Sequence, residues 1–275
     1  MSDLSNTARR HGPEPAPPAP NGPARGITKA LWEYVSRPDI ALLYDSYFRG
    51  MGLFAFDCQV LDLLLRKPGR LLDMGSGTGR HLVHFARRGF DVTGVELSQH
   101  MIGVAGRKLA AEHLSARMVQ GDFCEMSAMP DGSFESVICM FSTLGMVKGR
   151  ANRTAALAEA FRVLAPGGIF VMHAHNRFHN LFISGGRIRL LASYLRAFAG
   201  RGEVGDLIID GYRGVPRMFL HSYSARELRR VLDRAGFSRI KLLHLNEERT
   251  NVIRAGPLAG LLANGFIAAA FRPVS

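Results

Sequence analysis

Cysteine is scarce in this chain: Cys58, Cys124 and Cys139 are the only three in 275 residues, and no two have a paired spacing. That argues against a disulfide framework and against a cysteine zinc site. It fits reduced, buried thiols in a cytosolic protein. Long apolar runs are missing too. The longest late one, Leu258 to Phe271, is short for a membrane span and is broken by Gly260, Asn264 and Gly265. It reads as a turn and a final strand. No apolar segment follows Arg9 and Arg10, so no secretory leader is expected and the chain is read as cytoplasmic. There is no internal repeat. Acids are outnumbered 23 to 35 by Lys and Arg, and lysine supplies only 5 of the 35, for a net charge of +12. A bias in the gene's base composition explains that skew as well as function does. A basic surface favours polyanions through counterion release, which keeps RNA among the partners to be tested. The charge, however, is spread along the chain, and no basic run alternates with aromatics as in an RNA-binding module.

What the chain does have is a strand end running into a glycine loop: Leu71-Leu72-Asp73-Met74-Gly75-Ser76-Gly77-Thr78-Gly79. Glycines at this spacing let a backbone turn sharply and lie against a ligand with no Cβ in the way. The amphipathic stretch His81 to Arg88 follows at once, and the start of a helix points free N–H groups at the same place. A dinucleotide loop reads G-x-G-x-x-G. Here the third glycine comes one residue early, at Gly79, and Arg80 takes the expected position. Asp73 stands two residues before the first glycine, where it would repel a pyrophosphate but suits a ligand carrying an ammonium and no phosphate. S-adenosylmethionine (SAM) is such a ligand. Glu96 ends the run Phe90 to Val95, 19 residues after Gly77, where an acid can grip both ribose hydroxyls. Asp122 ends the run Ala116 to Gly121 and is placed to accept from an adenine amino group.

In order and spacing, the glycine loop, Glu96, Gly121-Asp122-Phe123 and Leu164-Ala165-Pro166-Gly167-Gly168 resemble the class I SAM-dependent methyltransferases, in particular the small-molecule and ubiquinone-type group. The resemblance is strong from about Leu71 to Val171 and loose elsewhere. It implies that Asp73, Gly75, Ser76, Gly77, Thr78 and Gly79 hold the methionine part, Glu96 the ribose, and Asp122 with Phe123 the adenine. Leu97, Met101 and Met140 join the implied cofactor wall. The implied product is S-adenosylhomocysteine. The alternative for each acid is a helix cap or turn residue.

Strands and helices alternate from Arg70, which predicts an α/β fold: a Rossmann-like, seven-stranded, mostly parallel sheet with helices on both faces. Expected strands are Arg70–Met74, Asp91–Glu96, Ala116–Gly121, Phe134–Met140, Ile169–His173, Arg239–Asn246 and Gly265–Phe271. Residues 1–26 are rich in Pro, Ala and Gly and are expected to be disordered. Residues 27–69 are expected to form helices that, in the family, lie over the cofactor as a lid, so that Tyr44 and Tyr47 face the substrate or pack against the core. Residues 174–223 stand where the family places its substrate-recognition insert, with a helix over Leu181–Phe198 and a hairpin around Leu207-Ile208-Ile209.

Methyl transfer is an in-line displacement, so orientation and water exclusion are the main requirements, with a base where an oxygen or nitrogen must lose a proton. After strand four the chain reads Met140-Phe141-Ser142-Thr143 and lacks the Asn/Asp-Pro-Pro-Tyr signature of enzymes that methylate amino groups of bases or glutamine. His173 and His175, two apart and so on one side of a continuing strand, are candidate bases; the alternative is one histidine bonded to backbone and one wet. His173, His175 and His179 have a spacing compatible with a metal, but no nearby carboxylate or cysteine completes such a site, so none is expected. Arg217 and His221 are candidates for binding an anionic or polar substrate, or for ordering a loop, and His221 is also a candidate catalytic residue beside His173 and His175. The expected function is methylation of an O, N or C atom of a small metabolite. The runner-up is a tRNA or RNA methyltransferase, supported by the charge and by the insert arginines. A non-catalytic SAM-binding subunit is the third reading.

Overall fold

A computed structural model describes residues 25–254, 256 and 258–274. The expected tail, apart from Arg25 and Gly26, lies outside the described residues. Three helices come first, α1 (Lys29–Ser36), α2 (Pro38–Phe48) and α3 (Leu53–Leu64). The alternating part follows: β1 (Arg70–Met74), α4 (Arg80–Arg87), β2 (Asp91–Glu96), α5 (Gln99–Ala111), β3 (Arg117–Gln120), β4 (Phe134–Cys139), a short α6 (Thr143–Met146), α7 (Arg150–Val163) and β5 (Leu164–His175). After a 3-10 turn (Arg177–Leu181) come α8 (Gly186–Phe198), β6 (Asp206–Ile209), β7 (Met218–His221), α9 (Ala225–Arg234), β8 (Ser238–His244), a short α10 (Ala259–Leu262) and β9 (Gly265–Phe271).

The main sheet has seven strands in the order β3-β2-β1-β4-β5-β9-β8. β1 to β5 are parallel, and β9 runs antiparallel to both its neighbours. This is the expected Rossmann-like fold. The strands alternate their burial between two faces, as period-two geometry requires. Leu72, Val137 and Phe170 pack with Ala156, Leu157 and Ala160 of α7 and Leu228 and Leu232 of α9. Leu71, Ile138 and Val171 pack with Val60 and Leu61 of α3 and Leu82 and Phe85 of α4. A third cluster joins Leu31, Tyr34, Ile40 and Ala41 of α1 and α2 to Met101 of α5 and to Val215 and Met218 of residues 174–223. The caps are those the sequence carries: Ser98 Oγ accepts from Met101 N at 3.3 Å, and Ser224 Oγ from Glu227 N at 3.2 Å.

Two boundaries differ from expectation by about five residues. β5 starts at Leu164, not Ile169, because the Pro166-Gly167-Gly168 turn is paired on both sides: Leu164 registers with Phe134, and Gly167 N donates to Arg272 O at 3.0 Å. The helix expected from Leu181 starts at Gly186, since Gly185 at φ 65° breaks the run. The expected hairpin forms, with β6 antiparallel to β7, but as a separate two-stranded sheet.

Candidate active site

The chain order reverses between β1 and β4, and ligands of open α/β sheets bind at the carboxyl ends of strands at such a point. The glycine loop leaves β1 there. Gly75 N and Ser76 N donate to Val95 O of β2 at 2.8 and 3.1 Å, which folds the loop back over the sheet. Gly75, Gly77 and Gly79 all have positive φ, at 78°, 55° and 72°. Around Gly77 a Cβ would meet nothing within 4 Å, so this glycine borders open space.

That space is a cleft of ≈ 810 Å³ walled by Gly75, Gly77, Glu96, Leu97, Met101, Asp122 and Phe123, among others. Its roof comes from elsewhere in the chain: Leu31, Tyr34, Val35 and Tyr44 of α1 and α2, and Tyr212 of residues 174–223. Glu96 Oε2 accepts from Gly77 N and Oε1 from Ser98 N, both at 2.9 Å. Each carboxylate oxygen keeps a lone pair for a ligand hydroxyl. Burial raises the Glu96 pKa against the pull of those two N–H groups. Asp73 is 1% exposed, and its Oδ2 has no hydrogen-bond partner. Burial, and then the neighbouring Glu96, push its pKa up to about 8. A buried acceptor left open at the base of a glycine loop is what an ammonium ligand would satisfy. Asp122 Oδ1 accepts from Cys124 N at 2.8 Å, the turn role weighed for it, and also lines the cleft.

Other expected residues are near but differently engaged. Ser76 is buried with Oγ unpartnered, Met140 is buried in the core below, and Thr78 donates from Oγ1 to Asp45 of α2 at 2.7 Å. Asp45 also pairs with Lys108 and stands 3.8 Å from Arg80. Arg80 lies over four rings, at 4.4 Å from Phe141, 5.0 Å from Phe54 and 5.2 Å from both Tyr44 and Phe48. Such contacts hold a guanidinium by the ring quadrupole and tie α2 to the glycine loop. Sequence reasoning missed Asp45 and Arg80 as a pair. The signal was an arginine in a glycine's usual place.

His173 and His175 do share a side, with ring centroids 5.3 Å apart. His173 Nδ1 lies 3.0 Å from Ser142 Oγ, and its Nε2 is buried without a partner. His175 and His179 line a second cleft beside residues 174–223. Tyr47 is half exposed and packs edge-on to Phe48. Arg217 is exposed and lines neither cleft. His221 is buried between Asp206 (Nδ1 to Oδ1, 2.7 Å) and Glu227 (Nε2 to Oε1, 3.2 Å), and Glu227 pairs with Arg177. It too lines neither cleft. Among the described residues, no group of three or more His, Cys, Asp or Glu is placed to hold a metal.

The family model described as "Methyltransferase domain" matches residues 71–168. This segment is a methyltransferase domain. The chain is 33% identical over 139 residues to the dTDP-3-amino-3,4,6-trideoxy-alpha-D-glucopyranose N,N-dimethyltransferase of Streptomyces venezuelae (49% of this chain, 56% of that one). It is 34% identical over 113 residues to the demethylmenaquinone methyltransferase of Deinococcus radiodurans (40% of this chain, 45% of that one). The chain thus spans about half the length of these curated relatives. A SAM-dependent methyltransferase structure from Methanosarcina mazei superposes with a TM-score of 0.60 at 21% identity, covering 75% of this chain and 93% of that one. The resemblance to the class I SAM-dependent methyltransferases, and the SAM cofactor expected from it, are borne out.

Proposed function

We propose that this chain moves the methyl group of SAM to an O, N or C atom of a small molecule. The carrying observation is buried Glu96 meeting open Gly77, Asp122 and Phe123 on one cleft at the point where the strand order reverses, with the unpartnered carboxylate of Asp73 buried in the strand that leads into the glycine loop. The residues fit the cofactor: Asp73 for its ammonium, Glu96 for its ribose hydroxyls, and Asp122 with Phe123 for its adenine. When bound, SAM supplies an electrophilic methyl on a sulfonium. The chain supplies orientation and dryness. α1 and α2 act as the lid, with Asp45, Lys108 and Arg80 latching it to the glycine loop, and residues 174–223 act as the substrate-recognition insert. The relatives' printed names, an amino-sugar and a quinone-type methyltransferase, support a small-molecule acceptor. No helix among the described residues is long and apolar enough to cross a membrane, and the three buried free thiols support a reducing compartment such as the cytoplasm. RNA is the competing acceptor class. Of the insert arginines, Arg177 is spent on Glu227 and Arg213 on the rings of Tyr44 and Tyr47.

The test is label transfer from methyl-tritiated SAM into cell extract split into small molecules, RNA and protein. Label in the small-molecule fraction is expected. Label confined to RNA overturns the acceptor class, and absence of SAM binding by calorimetry overturns the whole reading.

Asp73 gives the cofactor reading a pH signature. The free carboxyl titrates at about 8. An ammonium partner favours the ionised form, so below that pH binding must release a proton and is weakened. SAM affinity is therefore expected to rise with pH toward about 8, then fall as the ligand's own α-amino group, about 7.7–8.0 in model compounds, loses its charge. In Asp73→Asn the rising limb should vanish. Calorimetry across pH checks this, and an unchanged limb in the variant refutes the assignment of Asp73.

A further inference from the structure

A small void lies beside the cofactor cleft, walled by Leu53 and Asp57 of α3, Phe141 after β4, His173 of β5 and Arg249. It shares Phe141 with the cofactor cleft and shares Leu53 and Arg249 with the second cleft. The void therefore borders both clefts, at the carboxyl ends of β4 and β5. A group reaching in from the second cleft would there lie beside the cofactor cleft.

The void is unusually polar and unusually strained for a core position. Asp57 is 7% exposed and His173 3%. His173 Nε2 has no partner. Asp57 and Arg249 both wall the void, and the charge of each acts on the other. Non-glycine residues at positive φ are sparse, and they concentrate where a site over-determines the backbone. Phe141 (57°), Ser142 (59°) and Arg249 (56°) all have such backbone, and all border this void or hold its histidine.

Resting on the methyltransferase reading above, we propose that this void holds the reacting hydroxyl of the acceptor, a phenol or enol on a largely apolar body, with Asp57 as its proton acceptor and Arg249 beside the developing oxyanion. A guanidinium at this position repels an ammonium acceptor and stabilises an oxyanion, which selects oxygen over nitrogen. The apolar segment Leu207-Ile208-Ile209 and Leu220 in the adjoining cleft suit the body of such a molecule. In the step, the O–H bond breaks and its proton goes to Asp57 Oδ. The oxygen pair forms the O–CH3 bond. The methyl–sulfur bond breaks with its electrons retained by sulfur, leaving a methyl ether, S-adenosylhomocysteine and a protonated Asp57.

Burial drives the Asp57 pKa up to about 7, against opposing Arg249 and Arg80. A base at that value is half ionised near neutrality and strong enough to take a phenolic or enolic proton. The groups facing it are Arg249 from the segment after β8, Arg80 from the start of α4 and His173 from β5. Burial keeps His173 neutral, and so able to orient a hydroxyl rather than repel the guanidinium.

The probe is the small-molecule fraction that takes label from methyl-tritiated SAM. Wild-type kcat is expected to fall as pH drops through about 7, where Asp57 protonates. Asp57→Asn is expected to lose about a hundredfold in kcat, the low end for general-base catalysis, with that limb removed and SAM affinity unchanged by calorimetry. Asp57→Glu should restore part of the rate. Arg249→Gln should raise KM for the acceptor and leave SAM affinity alone. A folded Asp57→Asn with wild-type kcat overturns the proposal. So does an equal loss of SAM affinity, or a wild-type profile with no ionisation near neutrality, whether or not the variant folds. If the wild type binds SAM but transfers label only to amines, the oxygen assignment falls while the methyltransferase reading stands. If it binds no SAM, both fall.

Discussion

Glu96→Ala is expected to weaken SAM binding by about 1.5–3 kcal/mol, roughly ten- to a hundredfold in Kd, while the protein remains folded. The size follows from what the carboxylate does. It lies 8% exposed at the end of β2, so bonds to it form in a low dielectric and to a charged acceptor. It also positions the loop that receives the ligand, since its two oxygens hold Gly77 N and Ser98 N. The alanine variant loses the ribose contacts and the tether together. Glu96→Gln, which keeps one acceptor oxygen, should fall between. Calorimetry with SAM decides it: a folded Glu96→Ala protein with unaltered affinity would refute the cofactor assignment.

Gly75→Ala should destabilise the fold, whereas Gly77→Ala should spare most of the stability and lose the ligand. At Gly75 a Cβ would stand 2.4 Å from Thr143 Cγ2, on backbone at φ 78°. Overpacking of that kind costs about 1–3 kcal/mol, and the left-handed conformation adds about 1–2 kcal/mol for a residue with a Cβ. For a domain of this size each kcal/mol lowers Tm by about 2–4 °C. At Gly77 the Cβ meets no atom within 4 Å, so only the conformational cost remains, and the new methyl borders the cleft. Thermal melts and SAM calorimetry on both variants separate the two effects. Equal Tm losses would contradict the packing difference.

Much of this was legible because local chemistry dictated it. Asp73, the three glycines, Glu96 and Asp122 follow one another at strand ends, and a parallel sheet brings the carboxyl ends of neighbouring strands together whatever lies between them. Short apolar runs and good caps at Ser98 and Ser224 fixed most elements to within a few residues. Asp57 also left a trace: it is an acid in the stripe formed by Leu53, Val60 and Leu61, where an amphipathic helix ordinarily carries an apolar side chain. His221 shows the opposite. Its local sequence suggested substrate contact, but a hairpin and a helix start bring Asp206 and Glu227 to its two nitrogens.

By itself, then, the sequence determined the sheet, its reversal point and the residues that line the cofactor loop, because each depends on spacing along a single strand and the turn after it. Only the tertiary structure decided which groups meet across the site. Arg80 among four rings, Asp45 against Thr78, Tyr212 over the cleft, and Asp57 facing His173 and Arg249 all join segments far apart in the chain. Their contacts depend on how helices dock on the sheet and on the buried volume left between them, and no periodicity in the chain records either.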